Sequence, residues 1–443
     1  MSDIYHEAHA DSGPRAFYES HQHFAGLYET AHEPIIIGLI ARADIIYFER
    51  LTTGDMRFMD NTDTENEFRY SPTRNVTDLT EGRIKFHTDA SGQVDSLTWI
   101  DGADSYHIAR RSPGQSEEVQ FANGTQASLH GTLVCPDGDG PHPAVVVIPQ
   151  ADRTDLWDVG MWLHSRDLAV LYYDQRNSAG GLSTGEAVSG GYQDQQQTYA
   201  GDVEAAIRFL QTRAEIDAAR IGIIGWSGGG LTGAFVAGSI PELAFYVNIA
   251  GDASPGFEQA SHMFISRLMR EGFSDADVAD GRHLVNLHFG VAEGRVSWNK
   301  YQAEIERVRD TDWYQYLSNR YSIPYTREDG VREIGRYQAE WPPERVYGRI
   351  AAVPTLGVFF EFDHSSSPSS PGHFHQSLHS AGNGNYAIAI IPDTHHGGFV
   401  LNGQGYRFDT STLRRRSPLL IDTVIEWVER QVVPAASSIR STE

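Results

Sequence analysis

The pattern Gly-x-Ser-x-Gly occurs twice, at Gly181–Gly185 and at Gly225–Gly229. A serine in this pattern is presented as a nucleophile when a strand runs into it and a helix leaves it, because the tight turn then holds Oγ outward. Ser183 has no strand before it and lies in a Gly- and Ser-rich loop, which makes it a loop serine. Ser227 follows the apolar run Ile221–Gly225 and precedes the small-residue stretch Gly229–Ser239, so its context is complete. A serine hydroxyl needs a base, and the base needs a carboxylate to orient it. Two later apolar runs end in such groups. Thr355–Phe360 leads into Glu361-Phe362-Asp363, and Ala387–Ile391 leads into Pro392-Asp393-Thr394-His395-His396. Asp252, after Leu243–Ala250, is a second candidate acid, and the base is either His395 or His396.

These groups need a sheet to position them. Ala144–Ile148, Leu168–Tyr173, Ile221–Gly225, Leu243–Ala250, Thr355–Phe360 and Ala387–Ile391 are apolar runs of the kind expected for strands buried on both faces. Helical stretches at Thr198–Thr212, Gly229–Ser239, His373–His379 and Leu413–Val432 alternate with them. The alternation predicts an α/β fold with a doubly wound, mostly parallel sheet. Asn123-Gly124, between Val119–Ala122 and Ala127–Val134, marks a hairpin. Residues 256–345 break the alternation with a helical, Trp- and Tyr-rich block that reads as an inserted cap. Residues 1–112 carry short β-rich runs, at Pro34–Ile40, Asp44–Phe48, Arg83–Thr88, Val94–Trp99 and Ser105–Ala109, and predict a small antiparallel sheet or barrel. The expected organisation is an N-terminal β-rich domain over 1–112, a core in two parts over 113–255 and 346–443, and the cap over 256–345.

Four segments carry a family resemblance. YDQRNSAGGLSTG (Tyr173–Gly185), DAARIGIIGWSGGG (Asp217–Gly230), FFEFDHSSSP (Phe359–Pro368) and IPDTHHGG (Ile391–Gly398) follow one another in order. They resemble the loop after the fourth strand, the nucleophile elbow, the acid loop and the histidine loop of capped α/β-hydrolases of the dienelactone-hydrolase and serine-aminopeptidase-like branch. The resemblance spans about 115–255 and 345–435 and implies an α/β-hydrolase fold. It also implies a triad of Ser227 as nucleophile, His396 as base and Asp363 as acid, preferred over His395 and Asp252. Gly228 would supply one oxyanion N–H. The second would come from Gln150 or Ala151, because Pro149 stands where that family usually shows His-Gly, and proline has no N–H. Phe24–Tyr28 and Ile84–Trp99 are similar to small β-domains that bacteria append to serine hydrolases and β-lactamase-like proteins.

Charge and composition exclude other classes. The chain of 443 residues holds 59 acidic and 35 basic side chains, a formal charge of −24. So negative a surface repels phosphate backbones and anionic lipid, so neither nucleic acid nor membrane is an expected partner. Cys135 is alone, and the longest apolar stretches fall short of the ~20 residues that span a bilayer, which points to the cytoplasm. His373, His375 and His379 suggest a metal, but Gln376 stands where a metalloprotease helix needs glutamate, so no metal is expected. Nucleotide-binding loops are absent from the sequence, and no cofactor is implied. The expected ligand is a hydrophobic small molecule, with the cap's Trp298 and Trp313 and the nucleophile's neighbour Trp226 at the pocket, although core packing is the plainer role for Trp226. A homodimer formed through the β-domain stays open. The function read from these residues is a serine hydrolase cleaving an ester, thioester or lactone of a bulky hydrophobic substrate. Two alternatives stand beside it: a non-hydrolytic tailoring enzyme of a natural-product pathway, making rings or carbon–carbon bonds, and a binding protein with an idle triad.

Overall fold

A computed structural model describes residues 13–31, 33–71, 81–101, 105–111, 114–321, 327–333 and 343–432. Its first strands close on themselves. β1 (Gly26–Glu29), β2 (Pro34–Ile40), β3 (Ile45–Arg50), β4 (Met56–Asn61), β5 (Glu67–Tyr70), β6 (Gly82–Thr88), β7 (Val94–Asp101) and β8 (Ser105–Arg111) form an antiparallel barrel in sequential order, with β8 pairing back to β1. Closure leaves these strands no open edge for another chain to extend. Along β6, Gly82, Ile84 and Phe86 are buried while Arg83 and Lys85 are exposed, the alternation of a half-buried strand. Inside, the Phe68 ring meets Phe24 and Phe86 edge-on at 5.1 and 5.6 Å. Phe48 meets Tyr70 in the same way at 5.0 Å, so aromatic side chains fill the interior.

β2 departs from alternation, with Ile35–Ile40 buried throughout. Its neighbour outside the barrel is α2 (Trp157–His164), whose eight residues are all buried. That helix carries apolar residues on every side, so it has no 3.6-residue stripe from which to read it. A short helix, α1 (Pro14–His21), precedes the barrel.

The second sheet has nine strands. β9 (Gly114–Asn123) and β10 (Ala127–Pro136) form the hairpin at Asn123-Gly124, with Gly124 at φ 53. Beyond β10 the order runs β12 (Ala169–Tyr173), β11 (His142–Ile148), β14 (Ile216–Trp226), β15 (Tyr246–Ile249), β16 (Thr355–Phe360) and β17 (Tyr386–Ile391), all mutually parallel. β13 (Thr184–Gly185) pairs the far side of β10. The chain lays β12 on one side of β11 and returns to lay β14 on the other. That reversal opens a crevice at the carboxyl ends of β11 and β14. α3 (Tyr192–Gln211), α4 (Gly228–Ser239) and the helix Ser370–Ser380 pack on one face, and α2 with the terminal helix Pro418–Val432 packs on the other.

Between β15 and β16 lie α5 (Gly256–Arg270), α6 (Asp275–Ala292), α7 (Trp298–Val308) and α8 (Asp312–Tyr321), which bury a core of their own around Leu268, Tyr301 and Trp313. Ser274 caps α6, accepting from the Asp277 N–H. The terminal helix starts at Pro418 rather than at the expected Leu413, because Arg414 and Arg416 are spent on backbone hydrogen bonds to the barrel at Met56 and Gly54. Among the described residues no helix is long and apolar enough to cross a membrane.

Candidate active site

β14 ends at Trp226 and α4 begins at Gly228, which leaves Ser227 at the turn with φ 53 and ψ −118. A side chain rarely adopts that backbone, and its surroundings must hold it there. The Ser227 N–H does so by donating to the Ile249 carbonyl oxygen at 2.7 Å. Gly225 must be glycine, since a Cβ there would lie 2.2 Å from the Gly229 carbonyl oxygen. Gly228 is the first residue of α4, so its N–H has no acceptor within the helix and belongs to the positive helix end beside Ser227.

Across the crevice, His396 Nε2 is 3.0 Å from Ser227 Oγ, and Nδ1 is 2.9 Å from both Asp363 carboxylate oxygens. With its Nδ1–H donating to the carboxylate, the imidazole keeps the Nε2 lone pair for the serine hydroxyl. His396 and Asp363 are each 3% exposed. Asp363 Oδ1 also accepts from the N–H groups of Ser365 and Ser366 at 2.7 and 2.8 Å. Burial pushes this carboxyl up, but the His396 charge and hydrogen bond, His364 and the Ser366 N–H outweigh it and hold it below the usual range. Chain order is serine, acid, histidine, each at the end of a parallel strand.

The profile of the prolyl oligopeptidase family matches residues 157–254, from α2 through the serine turn to the loop after β15. The match takes in the serine turn and less than half of the chain. Among solved structures the chain aligns with an esterase from Pyrococcus furiosus at 14% identity, over 72% of this chain and 92% of that one, with a TM-score of 0.43. It aligns with the 2,6-dihydroxy-pseudo-oxynicotine hydrolase at 16%, over 72% and 68%, with 0.42. The figures for acetyl xylan esterase 1 from Thermoanaerobacterium are 14%, 85% and 87%, and 0.38. No curated protein matches the chain.

The alternative candidates are engaged elsewhere in the structure. Asp252 accepts from the Ser254 N–H and the Ser367 N–H at 2.6 Å each, and from the Ser254 hydroxyl, tying the start of the cap to the acid loop. Burial pushes its carboxyl up to about 7. His395 turns away from Ser227: its Nδ1 accepts from the Gly397 N–H at 2.9 Å, and its ring stacks on Phe408 at 4.9 Å. Ser183 is buried, its hydroxyl accepting from the His130 N–H at 2.9 Å. His373 faces Glu258 at 3.2 Å and His375 the Tyr386 hydroxyl at 2.7 Å; among the described residues no cluster of such side chains is arranged to hold a metal ion.

The pocket beside Ser227 differs from the bulky apolar one expected. It is small, about 40 Å³, which is room for a few water molecules. Tyr192, Gln193, Asp252, Gln259 and Tyr347 supply much of its wall. None of the three expected tryptophans lines it. Trp226 is fully buried, packed on Phe360, with its indole N–H donating to the His396 carbonyl oxygen at 2.9 Å. Trp313 is consumed by the cap core, and Trp298 borders a separate surface recess with Gln302 and Arg332. Gln150 and Ala151 follow β11 as expected, yet neither is among the residues walling the pocket. The Gln150 side-chain amide donates to the Trp226 carbonyl oxygen, which leaves only backbone N–H groups of this loop to face an oxyanion.

Other neighbours of the site escaped sequence reasoning. His262 and Ser266 of α5 donate to the carbonyl oxygens of Asp363 and His364, so the cap grips the acid loop. His364 packs edge-on to His396 at 5.6 Å, and burial first, then the His396 charge, pushes it down to about 3. The Tyr192 hydroxyl sits so near Gly228 that a Cβ there would lie 2.7 Å from it. No motif marks His262, Ser266 or Tyr192, because each meets the site only through the fold, whereas His364 directly follows Asp363 in the acid loop.

Proposed function

We propose that the protein is a serine hydrolase that cleaves a carboxylic ester, thioester or lactone by way of an acyl group carried on Ser227. The observation that carries this reading is His396, hydrogen-bonded at once to Ser227 Oγ and to the Asp363 carboxylate. In the scheme, His396 takes the proton as Oγ attacks the carbonyl carbon and returns it to the leaving oxygen or sulfur. Asp363 holds the imidazole and stabilises its charged form. The Gly228 N–H and a backbone N–H at Gln150 or Ala151 receive the oxyanion. A water, activated by the same histidine, then releases the acid.

The substrate proposed is a small molecule whose acyl portion is compact and carries hydrogen-bonding atoms. The small pocket walled by Tyr192, Gln193 and Gln259 supports that reading over a bulky apolar ring. All three acting side chains come from one chain, so the scheme needs no second copy. A cytoplasmic setting is part of the proposal, supported by the lone Cys135, which permits no intrachain disulfide.

The test is labelling with a small fluorophosphonate, read by peptide mass spectrometry on wild type and on Ser227→Ala. One adduct on the peptide holding Ser227, absent from the variant, and turnover of short-chain esters lost with it, are the expected results. Undiminished ester turnover by Ser227→Ala would overturn the reading.

A further inference from the structure

Three charges are buried together beneath the histidine loop: Arg416 at 3%, Glu49 at 0% and Asp158 at 2% exposure. Arg416 Nη1 donates to the Gly397 carbonyl oxygen at 2.7 Å, one residue beyond His396. Its Nε reaches Glu49 Oε1 at 3.4 Å, and Nη2 donates to Asp158. The guanidinium also lies over the rings of Phe399, Trp226 and Trp162, at 4.9, 5.3 and 5.6 Å. Glu49 is fixed in turn, its Oε2 accepting from the Trp162 indole N–H at 2.9 Å. Glu49 belongs to β3 of the barrel, so two side chains connect the N-terminal barrel to the residue beside His396. The backbone repeats the connection: the Arg416 N–H donates to Gly54 and the Met56 N–H to Arg414, at 2.7 Å each.

Stability does not account for this cluster. Removing ions from water costs several kcal/mol each, and well-packed apolar side chains of similar volume usually stabilise a core at least as well. What a guanidinium offers instead is direction, because its planar set of donors fixes several acceptors at once. Direction matters here, since displacing a reacting group by about 1 Å can cost roughly a hundredfold in rate. The His396 carbonyl is held by Trp226 and the Gly397 carbonyl by Arg416, so the histidine's backbone is pinned on two successive residues.

We infer that Glu49 and Arg416 are positioning residues through which the N-terminal barrel sets the place of His396. The inference rests on the proposed Ser227–His396–Asp363 chemistry. It gives the barrel a task within the reaction, with no ligand of its own.

The experiment compares wild type with Glu49→Gln, Arg416→Lys and Glu33→Gln, each checked for folding by circular dichroism and thermal unfolding. Glu33 is ion-paired with Arg50 rather than with Arg416, and serves as the control for barrel stability alone. Glu49→Gln keeps the shape and an acceptor for Trp162 while removing the charge. Its kcat on a short-chain ester should fall about ten- to a hundredfold with KM within about twofold, the signature of lost transition-state geometry. Arg416→Lys keeps the charge but loses the fixed fork, and should fall at least as far. Glu33→Gln should retain wild-type kcat even if its unfolding temperature drops. Wild-type kcat in folded Glu49→Gln, or an equal loss in Glu33→Gln, would overturn the inference. So would a kcat loss no larger than the unfolded fraction. If Arg416→Lys fails to fold, Glu49→Gln alone decides. Should Ser227→Ala remain active, the chemistry itself fails, a result distinct from a silent Glu49→Gln beside an inactive Ser227→Ala.

Discussion

The indole N–H of Trp226 donates to the carbonyl oxygen of His396, 170 residues away, at 2.9 Å. The residue before the nucleophile therefore holds the backbone of the base, and the spacing between Oγ and Nε2 is set partly through one buried hydrogen bond. Trp226→Phe keeps a large ring but leaves that carbonyl without its donor, at a cost of about 1–3 kcal/mol. The unfolding temperature and kcat should both drop while KM holds, because Trp226 does not face the pocket. A selective rise in KM would contradict this placement.

The two acids near the site should separate cleanly. Asp363→Asn removes the charge that orients the imidazole, and a loss of about 10³- to 10⁴-fold in kcat is expected. Asp252→Asn should cost less than about tenfold, because Asp252 bonds to Ser254 and Ser367 rather than to His396. Single-turnover labelling rates on the two variants check this, and equal losses would make Asp252 part of the proton-transfer chain.

The cap tryptophans should act on folding before they act on substrate. Trp313 is 1% exposed, and Trp313→Ala should destabilise the protein by about 3–5 kcal/mol, read by urea unfolding. Trp298→Ala should leave KM within about twofold for every ester tried. A substrate-dependent KM change at Trp298 would place the acyl pocket under α7 instead.

Stability should fall as pH rises through neutrality, in part because of Asp252. Burial raises this carboxyl from 3.8 to about 7 in the folded chain. Between those values the native state holds a proton that the unfolded state releases. The contribution is therefore full below about pH 4 and is lost as pH rises through about 7. Asp363, held low, acts in the opposite sense: its contribution is present above the ordinary aspartate value and lost only on strong acidification. Scanning calorimetry from about pH 5 to 8 should show a flatter decline for Asp252→Asn than for wild type. Parallel curves would refute the assignment.

What could be read from the sequence was what is local. Thr355–Phe360 and Pro34–Ile40 coincide with their strands, because apolar β-rich runs bounded by turn residues leave little choice. The serine turn was readable for the same reason, with strand, glycines and helix contiguous. Helix α2 was not, having apolar residues on all sides and Gly160 within it. β4 and β5 were missed as well; β5 has four residues and draws its burial from the barrel around it. At the site, the expected base His396 follows a strand end and bonds both Ser227 and Asp363, and a strand end is a place that sequence can mark. The tryptophans were misplaced because composition locates aromatic residues in a cap without saying which way they face. Arg416 reads as part of a basic run, Arg414–Arg416, and only the barrel and α2 give it buried partners.

Glu49 and Arg416 stand 367 residues apart. A ribosome adding about 5–20 residues per second needs roughly 20–70 s to travel from one to the other. Late in that interval, once Ile249 has been added, the newborn chain can own a finished barrel and an exposed serine turn, yet lack the arginine that seats its histidine. On the proposed chemistry, a chain that stops short of Arg416 carries the nucleophile without the contact that seats its base.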